Sequence, residues 1–409
     1  QNISSGEFLE LNSTIADTNI FIEHLKARIN NTNITANNIS VNRQDNKYIA
    51  PNITLHIDEG RVSVDANFIG SNHYLLNFSL QNIDMDKIDQ LLFLNNRYGG
   101  IMSGDFFISN INSKKFLKAD LLIENSRFDK FQYNHTIFQA SLKDNQLSIN
   151  DFSSSNDLSS FNLNGFIEIN DNSYFKLSPS DNIQLNGLIN NIDISLLNRY
   201  DPWIFNLGGN LSSLFSISGS LGDIQFSMEP TIDKPQFDKI IGDKISARIS
   251  YRNNRLYIAN MNCDTKNGTY NVKGSLPANF SYFNNANDIN SRPIYIDIDA
   301  NSNSLEFLTP YFPFIKELNG VFEYTLSIHG NYKNPIRDGE LVIKDAYLNI
   351  LQLDNRINNI DSYAVINNNR LIINNFSANL GLNENPSTLI NELKLSVKNA
   401  LNKSEINNK

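Results

Sequence analysis

Gly320-Val321-Phe322-Glu323-Tyr324-Thr325-Leu326-Ser327-Ile328-His329-Gly330 sets the reading of the whole chain. Phe322, Tyr324, Leu326 and Ile328 take every second position, and Glu323, Thr325, Ser327 and His329 stand between them. Successive strand side chains point to opposite faces, so the stretch predicts a strand with one apolar and one wet face. It is also one copy of a repeat. Gly209, Ile217 and Gly219 precede Gly320, Ile328 and Gly330 by 111 positions, and Tyr200-x-Pro202 precedes Tyr311-x-Pro313 by the same offset.

One copy further back the offset is 109 and holds without a gap. Asn82-Ile83-Asp84 returns as Asn191-Ile192-Asp193, Gly99-Gly100 as Gly208-Gly209, and Ile108-Ser109 as Ile217-Ser218. Phe128-Asp129-Lys130 returns as Phe237-Asp238-Lys239, and Gly165 as Gly274. Asn254-Arg255-Leu256 comes back as Asn369-Arg370-Leu371 after 115 positions. A fixed internal period predicts units that bury their apolar faces against neighbours. The expected division is a partial repeat over 1–81, repeats over 82–190, 191–301 and 302–383, and a polar tail or short amphipathic helix over 384–409.

Period-two alternation dominates elsewhere. It runs through Ile245, Ala247, Ile249 and Tyr251, through Ile294, Ile296 and Ile298, and through Phe138, Ala140 and Leu142. Asp58-Glu59-Gly60, Lys143-Asp144-Asn145, Arg252-Asn253-Asn254 and Asn367-Asn368-Asn369 read as hairpin turns, because Asn, Asp and Gly accept left-handed backbone angles. Roughly six strands per repeat give about 20 strands, more than one ordinary open sheet holds. At about 4.8 Å per strand such a sheet would be on the order of 100 Å long. The expected fold class is all-β: an elongated, twisted antiparallel sheet repeat with little helix. Helix is expected at 389–401, after Pro386 and a Ser387 cap, and less strongly at 16–29 through Ile20, Phe21, His24 and Leu25. Short helical turns are expected around Leu91–Leu94 and Leu196–Arg199.

Composition narrows the function classes. The chain has 409 residues and a formal net charge of −9, with no basic stripe, so nucleic acid is not an expected partner. Gly (19) and Pro (11) are too few for a low-complexity chain. The one cysteine, Cys263, excludes an intrachain disulfide or a CxxC metal site. The many asparagines read as the mark of an AT-rich genome. No stretch approaches 18 consecutive apolar residues. The chain starts at Gln1, which reads as an internal fragment of something longer.

No catalytic, metal or cofactor constellation is legible, so no enzyme and no cofactor is expected. The five histidines, His24, His56, His73, His135 and His329, include no helical i, i+4 pair. Nucleotide and nucleophile motifs are missing. Asp84-x-Asp86 and Asp297-x-Asp299 read as solvated polar edges rather than metal ligands. Trp203 reads as a packing anchor, and the repeated glycines Gly209, Gly219, Gly320 and Gly330 as bulges or turns.

The third copy carries a further pattern: Leu305-x-Phe307-Leu308-x-Pro310-Tyr311, Gly320-Val321-Phe322, Ser327-Ile328-His329-Gly330, Asn334-Pro335 and Gly339-Glu340-Leu341. It resembles the repeats of the TamB and AsmA-like envelope proteins (translocation and assembly module family) over roughly residues 82–380. The second copy lacks the Pro after Gly219, and the first has Asn110 where the others have Gly. The resemblance implies a β-taco, a long sheet folded around an apolar groove. It implies a periplasmic segment of a protein anchored in the inner membrane of a diderm bacterium, moving phospholipid or another acyl lipid between membranes. It also implies a role in outer-membrane protein assembly, with a BamA-like barrel as partner through parts outside this chain.

The residues support a groove independently. Many strands each present an apolar face, few amphipathic helices are available to cover it, and acyl chains could. The expected groove-lining residues are Phe106, Ile108, Phe215, Ile217, Ile245, Ile249, Ile294, Ile296, Phe322, Tyr324, Leu326 and Ile328. The competing reading is an extracellular β-repeat adhesin or scaffold with a self-filled core. A polysaccharide lyase on a β-helix fits worse, since β-helix coils repeat on a far shorter period.

Overall fold

A computed structural model of the chain describes residues 7–16, 18–69, 73–92, 97–111, 114–169, 177–199, 206–280, 289–306, 309, 312–351 and 356–379. Trp203, the Tyr200-x-Pro202 motif, Phe307-Leu308, Pro310-Tyr311 and the expected helix at 389–401 lie outside the described residues. The described strands belong to one antiparallel sheet of 24 strands. The chain divides into two compact units. One comprises Gln1–Ile192, Ser212–Phe226 and Ser281–Phe283, the other Asp193–Leu211, Ser227–Phe280 and Asn284–Lys409.

The first unit contains β1 (Phe8–Ala16), β2 (Asn19–Ile29), β3 (Thr32–Gln44), β4 (Lys47–Ile57), β5 (Gly60–Ile69) and β6 (His73–Asp84). After helix α1 (Met85–Leu91) come β7 (Tyr98–Ile111), β8 (Lys114–Phe128), the two-residue β9 (Phe131–Gln132), β10 (His135–Lys143), β11 (Gln146–Ser155), β12 (Ser160–Glu168) and β13 (Asn182–Asp193). A 3-10 turn, Ile194–Arg199, leads to β14 (Leu207–Ser220) and β15 (Asp223–Phe237), which run through both units. The second unit continues with β16 (Ile240–Ile241), β17 (Lys244–Arg252), β18 (Arg255–Thr265), β19 (Gly268–Pro277), β20 (Tyr295–Ser302), β21 (Ile315–Gly330), β22 (Pro335–Ile350), β23 (Ile357–Asn367) and β24 (Arg370–Asn379).

The sequence offsets reappear in the backbone. The bounds of β6, β7, β8, β9 and β10, moved on by 109, are those of β13, β14, β15, β16 and β17. The bulges repeat as well. The ladder skips Asn150 on β11, Ala259 on β18 and Asn374 on β24, positions 109 and 115 apart. An extra residue of this kind re-aims the side chains that follow it. Each copy therefore keeps its apolar residues on one face through the same break in alternation. The boundaries drawn at 82 and 191 fall inside β6 and β13, each beside an Asn with positive φ.

Asparagine has a conformational role beyond base composition. Among the described residues 21 non-glycine positions have positive φ, and all but Lys234 are Asn or Asp. These residues tolerate the left-handed region because their short polar side chains bond the local backbone. In the two-residue turns Asp144-Asn145, Asn253-Asn254 and Asn368-Asn369 both members are left-handed, with φ between 49° and 66°. That pairing is the type I′ geometry whose twist matches the flanking strands.

Three expectations need correction. Residues 19–29 form a strand, not a helix. On β1, Leu11 and Ser13 share a face, and they oppose Leu25 and Ile22. The ladder skips Glu23, which puts two apolar residues three apart on one face and imitates helical spacing. Asp84 and Asp86 do not share a strand face. Asp84 caps α1, its Oδ1 accepting from the Asp86 N–H at 2.9 Å, while Asp86 is ion-paired with Arg127. Asp193 caps the equivalent 3-10 turn and accepts from the Ser195 N–H at 2.8 Å. Asp297 and Asp299 do share a polar face, but β20 is paired on both sides and is no edge.

Candidate functional site

Direct cross-strand partners lie on one face of a sheet, so the registers define which side chains line up. In the second unit one row runs Ile245, Cys263, Tyr270, Ala300, Tyr324, Leu341, Ala364 and Ile373, from β17 to β24. The next row runs Ala247, Met261, Val272, Ile298, Leu326, Gly339, Ile366 and Leu371. Ile249, Ile258, Gly274, Ile296 and Ile328 form a third row. Ile294 lies just before β20, is 5 % exposed, and donates its N–H to the Gly330 carbonyl at 2.8 Å.

The first unit repeats the arrangement. Val64, Phe78, Phe106, Ala119, Ala140, Ile149, Gly165 and Leu185 form one row from β5 to β13. Ile108 lies between Leu76 and Leu117 in the neighbouring row. Phe215 stacks on Phe161, the ring centroids 6.3 Å apart and the planes at 18°. It covers Gly187, where a Cβ would lie 2.2 Å from the Phe215 ring. Ile217 packs on the buried trio Ile183, Leu185 and Leu221.

The burial along these rows is distinctive. Nine of the 25 buried apolar side chains among the described residues are alanines. Phe322, at 5 % exposure, is the one phenylalanine among the described residues that is buried. Phe78, Phe106, Phe138, Phe152 and Phe161 are half-buried. Alanines therefore form part of the floor, beside buried Leu117, Leu142 and Leu185, and every described phenylalanine other than Phe322 stays partly or fully exposed. The described residues contain a single α-helix, the seven residues of α1, so no helical layer from the described residues covers the face.

In the second unit the face deepens into a recess of about 310 Å³ lined by Tyr270, Ile298, Ala300, Leu305, Phe322, Tyr324, Leu341 and Ile343. Burial raises the Tyr270 and Tyr324 hydroxyls above their ordinary pKa; a hydrogen bond with Ser302 opposes this at Tyr270 and the Arg337 charge at Tyr324. Of the expected lining residues, Phe322 and Tyr324 border the recess, while Leu326, Ile328, Ile296, Ile245 and Ile249 continue its face. Phe106, Ile108, Phe215 and Ile217 belong to the first unit. The expected set lacked Tyr270, Ile298, Ala300, Leu341 and Ile343, which lie on strands of the same face, and Leu305, which comes from the segment after β20 and folds over Ala300 and Phe322. No periodic signal marks a residue that reaches the face from outside a strand.

The opposite face is mixed: polar side chains dominate it in the second unit, with Val342, Tyr363, Val365 and Ile372 among them. Asp297, Asp299, Asp338, Glu340 and Lys273 surround an open depression of about 550 Å³. His329 Nδ1 approaches Asp338 Oδ2 at 3.6 Å there, and both side chains are exposed. Among the described residues no three His, Cys, Asp or Glu side chains are grouped so as to hold a metal ion. No helix among them is long and apolar enough to cross a membrane. No family model, curated protein or solved structure matches the chain.

Proposed function

We propose that this chain shields lipid acyl chains along the apolar face of its sheet, as a periplasmic segment of an envelope-biogenesis protein that passes phospholipid or a similar lipid between inner and outer membranes. The observation that carries the proposal is the alanine-floored face with half-buried phenylalanines and an apolar recess of about 310 Å³. An ordinary core buries its large side chains and leaves few voids. Here large apolar side chains keep area that only another apolar body can remove from water.

The face suits a lipid chemically. An acyl chain needs no hydrogen-bond partner, and each methylene taken from water contributes about 0.8 kcal/mol. Rows of interchangeable aliphatic and aromatic side chains across successive strands provide binding without one fixed seat, which suits a ligand that must slide. The resemblance of the repeats to TamB and AsmA-like proteins supports the same reading, including the envelope location and a BamA-like partner reached through other parts of the protein.

The test uses a photoactivatable crosslinker placed singly at Leu326, Ile296 and Ile108, and at Thr325, Asp297 and Asp105 on the other face, in cells supplied with labelled phospholipid. Labelling confined to the first set is the expected result. Labelling of neither set, with the protein folded, would leave the face as a self-filled core of the adhesin or scaffold kind; equal labelling would refute the assignment of the face.

A further inference from the structure

One position on the apolar face of the second unit is charged. Ile328 on β21 opposes Arg337 on β22, and cross-strand partners share a face, so Arg337 extends the row of Ile249, Ile258, Gly274, Ile296 and Ile328. Every other member of the three rows in this unit is uncharged. Earlier copies keep the position apolar. Ile108, the equivalent of Ile328, opposes Leu117, which is 8 % exposed and packs with Ala119, Leu142 and Ile169. Phe226 stands 111 positions before Arg337, in the second copy. In the third copy a cation takes the place of these apolar side chains.

Its surroundings leave the charge unanswered. The Arg337 side chain is exposed, and its Nη1 donates to Asn369 Oδ1 at 3.2 Å. The same Oδ1 accepts from the Arg337 backbone N–H at 3.0 Å, which holds the neutral amide beside the guanidinium. Among the described residues no carboxylate is ion-paired with Arg337. Its neighbour Asp338 lies on the opposite face, near His329. A guanidinium carries five N–H donors in a planar fork, so it can still grip an oxyanion through two parallel bonds.

β22 joins this charge to the recess. On the same face Arg337 is followed by Gly339, then by Leu341 and Ile343, which line the recess. At about 3.4 Å per residue, Arg337 lies about 14 Å along the strand from Leu341. Gly339 has no side chain to block the floor between them. The Arg337 charge is felt at the hydroxyl of Tyr324, which borders the recess.

We propose that Arg337 seats the phosphate head of an acyl lipid whose chain runs over Gly339 into the recess. The inference rests on acyl chains lying on this face and adds the class of head that the second unit selects. Arg337 thereby gives one station to a face that otherwise has no fixed seat.

The probes are lauroylglycerol phosphate and lauroylglycerol, which share a chain and differ in the head. Each is titrated into the whole chain below its micellar concentration and followed by calorimetry. The phosphate form should bind roughly tenfold more tightly, the size of one charge-assisted hydrogen bond. Arg337→Leu and Arg337→Gln should each bring the two affinities together. The side chain is exposed and leucine holds the equivalent position in the first copy, so the variants' thermal melts should match the parent's. Inorganic phosphate at equal concentration should not displace lauroylglycerol phosphate. Equal binding of the two amphiphiles by the parent, or a preference that survives in a folded variant, would overturn the role of Arg337 and leave acyl chains on the face. Displacement by inorganic phosphate would mark a free-anion site and overturn it too. Binding of neither amphiphile would overturn both this inference and the acyl-chain reading beneath it.

Discussion

Thr136 on β10 and Ser154 on β11 face each other across the ladder, their side-chain oxygens 2.8 Å apart and both residues buried. Ser126 Oγ lies 2.6 Å from Thr136 Oγ1 on the other side, so three hydroxyls satisfy one another beside apolar rows. A buried hydroxyl left without a partner costs about 1–3 kcal/mol. Thr136→Val keeps the shape but removes the central member. It should lower stability by about that amount in denaturant titration. A variant as stable as the parent would show that the hydroxyls are independently hydrated.

Gly165 and Gly274 occupy equivalent positions 109 residues apart with φ of 139° and 152°. A Cβ at either would lie 2.0 or 2.1 Å from the carbonyl oxygen of Gln184 or Tyr295 on the next strand. Backbone strain and a forced shift of that strand act together, each worth about 1–3 kcal/mol. Gly165→Ala and Gly274→Ala should each shift the denaturation midpoint by the equivalent of about 2–5 kcal/mol. A loss under about 0.5 kcal/mol, the range of an unconstrained surface change, would show that the two strands have room to part.

Cys263 is half-buried in the row between Ile245 and Tyr270. Burial raises its thiol above the ordinary value of 9.0, and the Asp264 and Asp243 carboxylates add to the effect. A raised pKa in the folded state gives stability that is fully present below the unfolded value and is lost as pH rises through the folded one. The thiol should react with iodoacetamide more slowly in the folded chain than in denaturant at pH 8, and stability should decline above about pH 9. Equal rates in the two states would refute the shift.

Much of this was legible because strand alternation, turn chemistry and the repeat offsets are local. The four hairpin turns need only Asn, Asp or Gly at left-handed positions, and the sequence names them. The alternation of Phe322 to Ile328 assigns faces without knowledge of neighbours. Glu23 shows where such reading fails: one bulged residue turned strand spacing into apparent helical spacing. Leu305 shows the other limit, since its place over Ala300 depends on the path of the chain after β20. The Asp84 cap was missed because a short helix between two strands carries too few residues for a periodic signal.

Phe322 and Leu326 lie on one strand and one face, yet charges placed there should behave differently. Phe322 is buried against Ala300, Leu305 and Ala346. Leu326 is half-buried between Ile298 and Gly339. A carboxylate at Phe322, 5 % exposed and set between Ala300, Leu305 and Ala346, is largely stripped of water and leaves the packed ring's place empty, so Phe322→Asp should cost more than about 3 kcal/mol and bring down the melt. At Leu326 the carboxylate can stay hydrated while the face is empty, so Leu326→Asp should leave the fold in place. It should still exclude an acyl chain, because lipid binding would strip that water away. Ile217→Arg makes the same comparison in the first unit. A thermal melt paired with labelled-lipid capture separates the cases. Loss of capture in a folded Leu326→Asp variant is the expected result. Unchanged capture in that variant would count against lipid on this face, and unfolding of both variants would point to a core already filled by its own side chains.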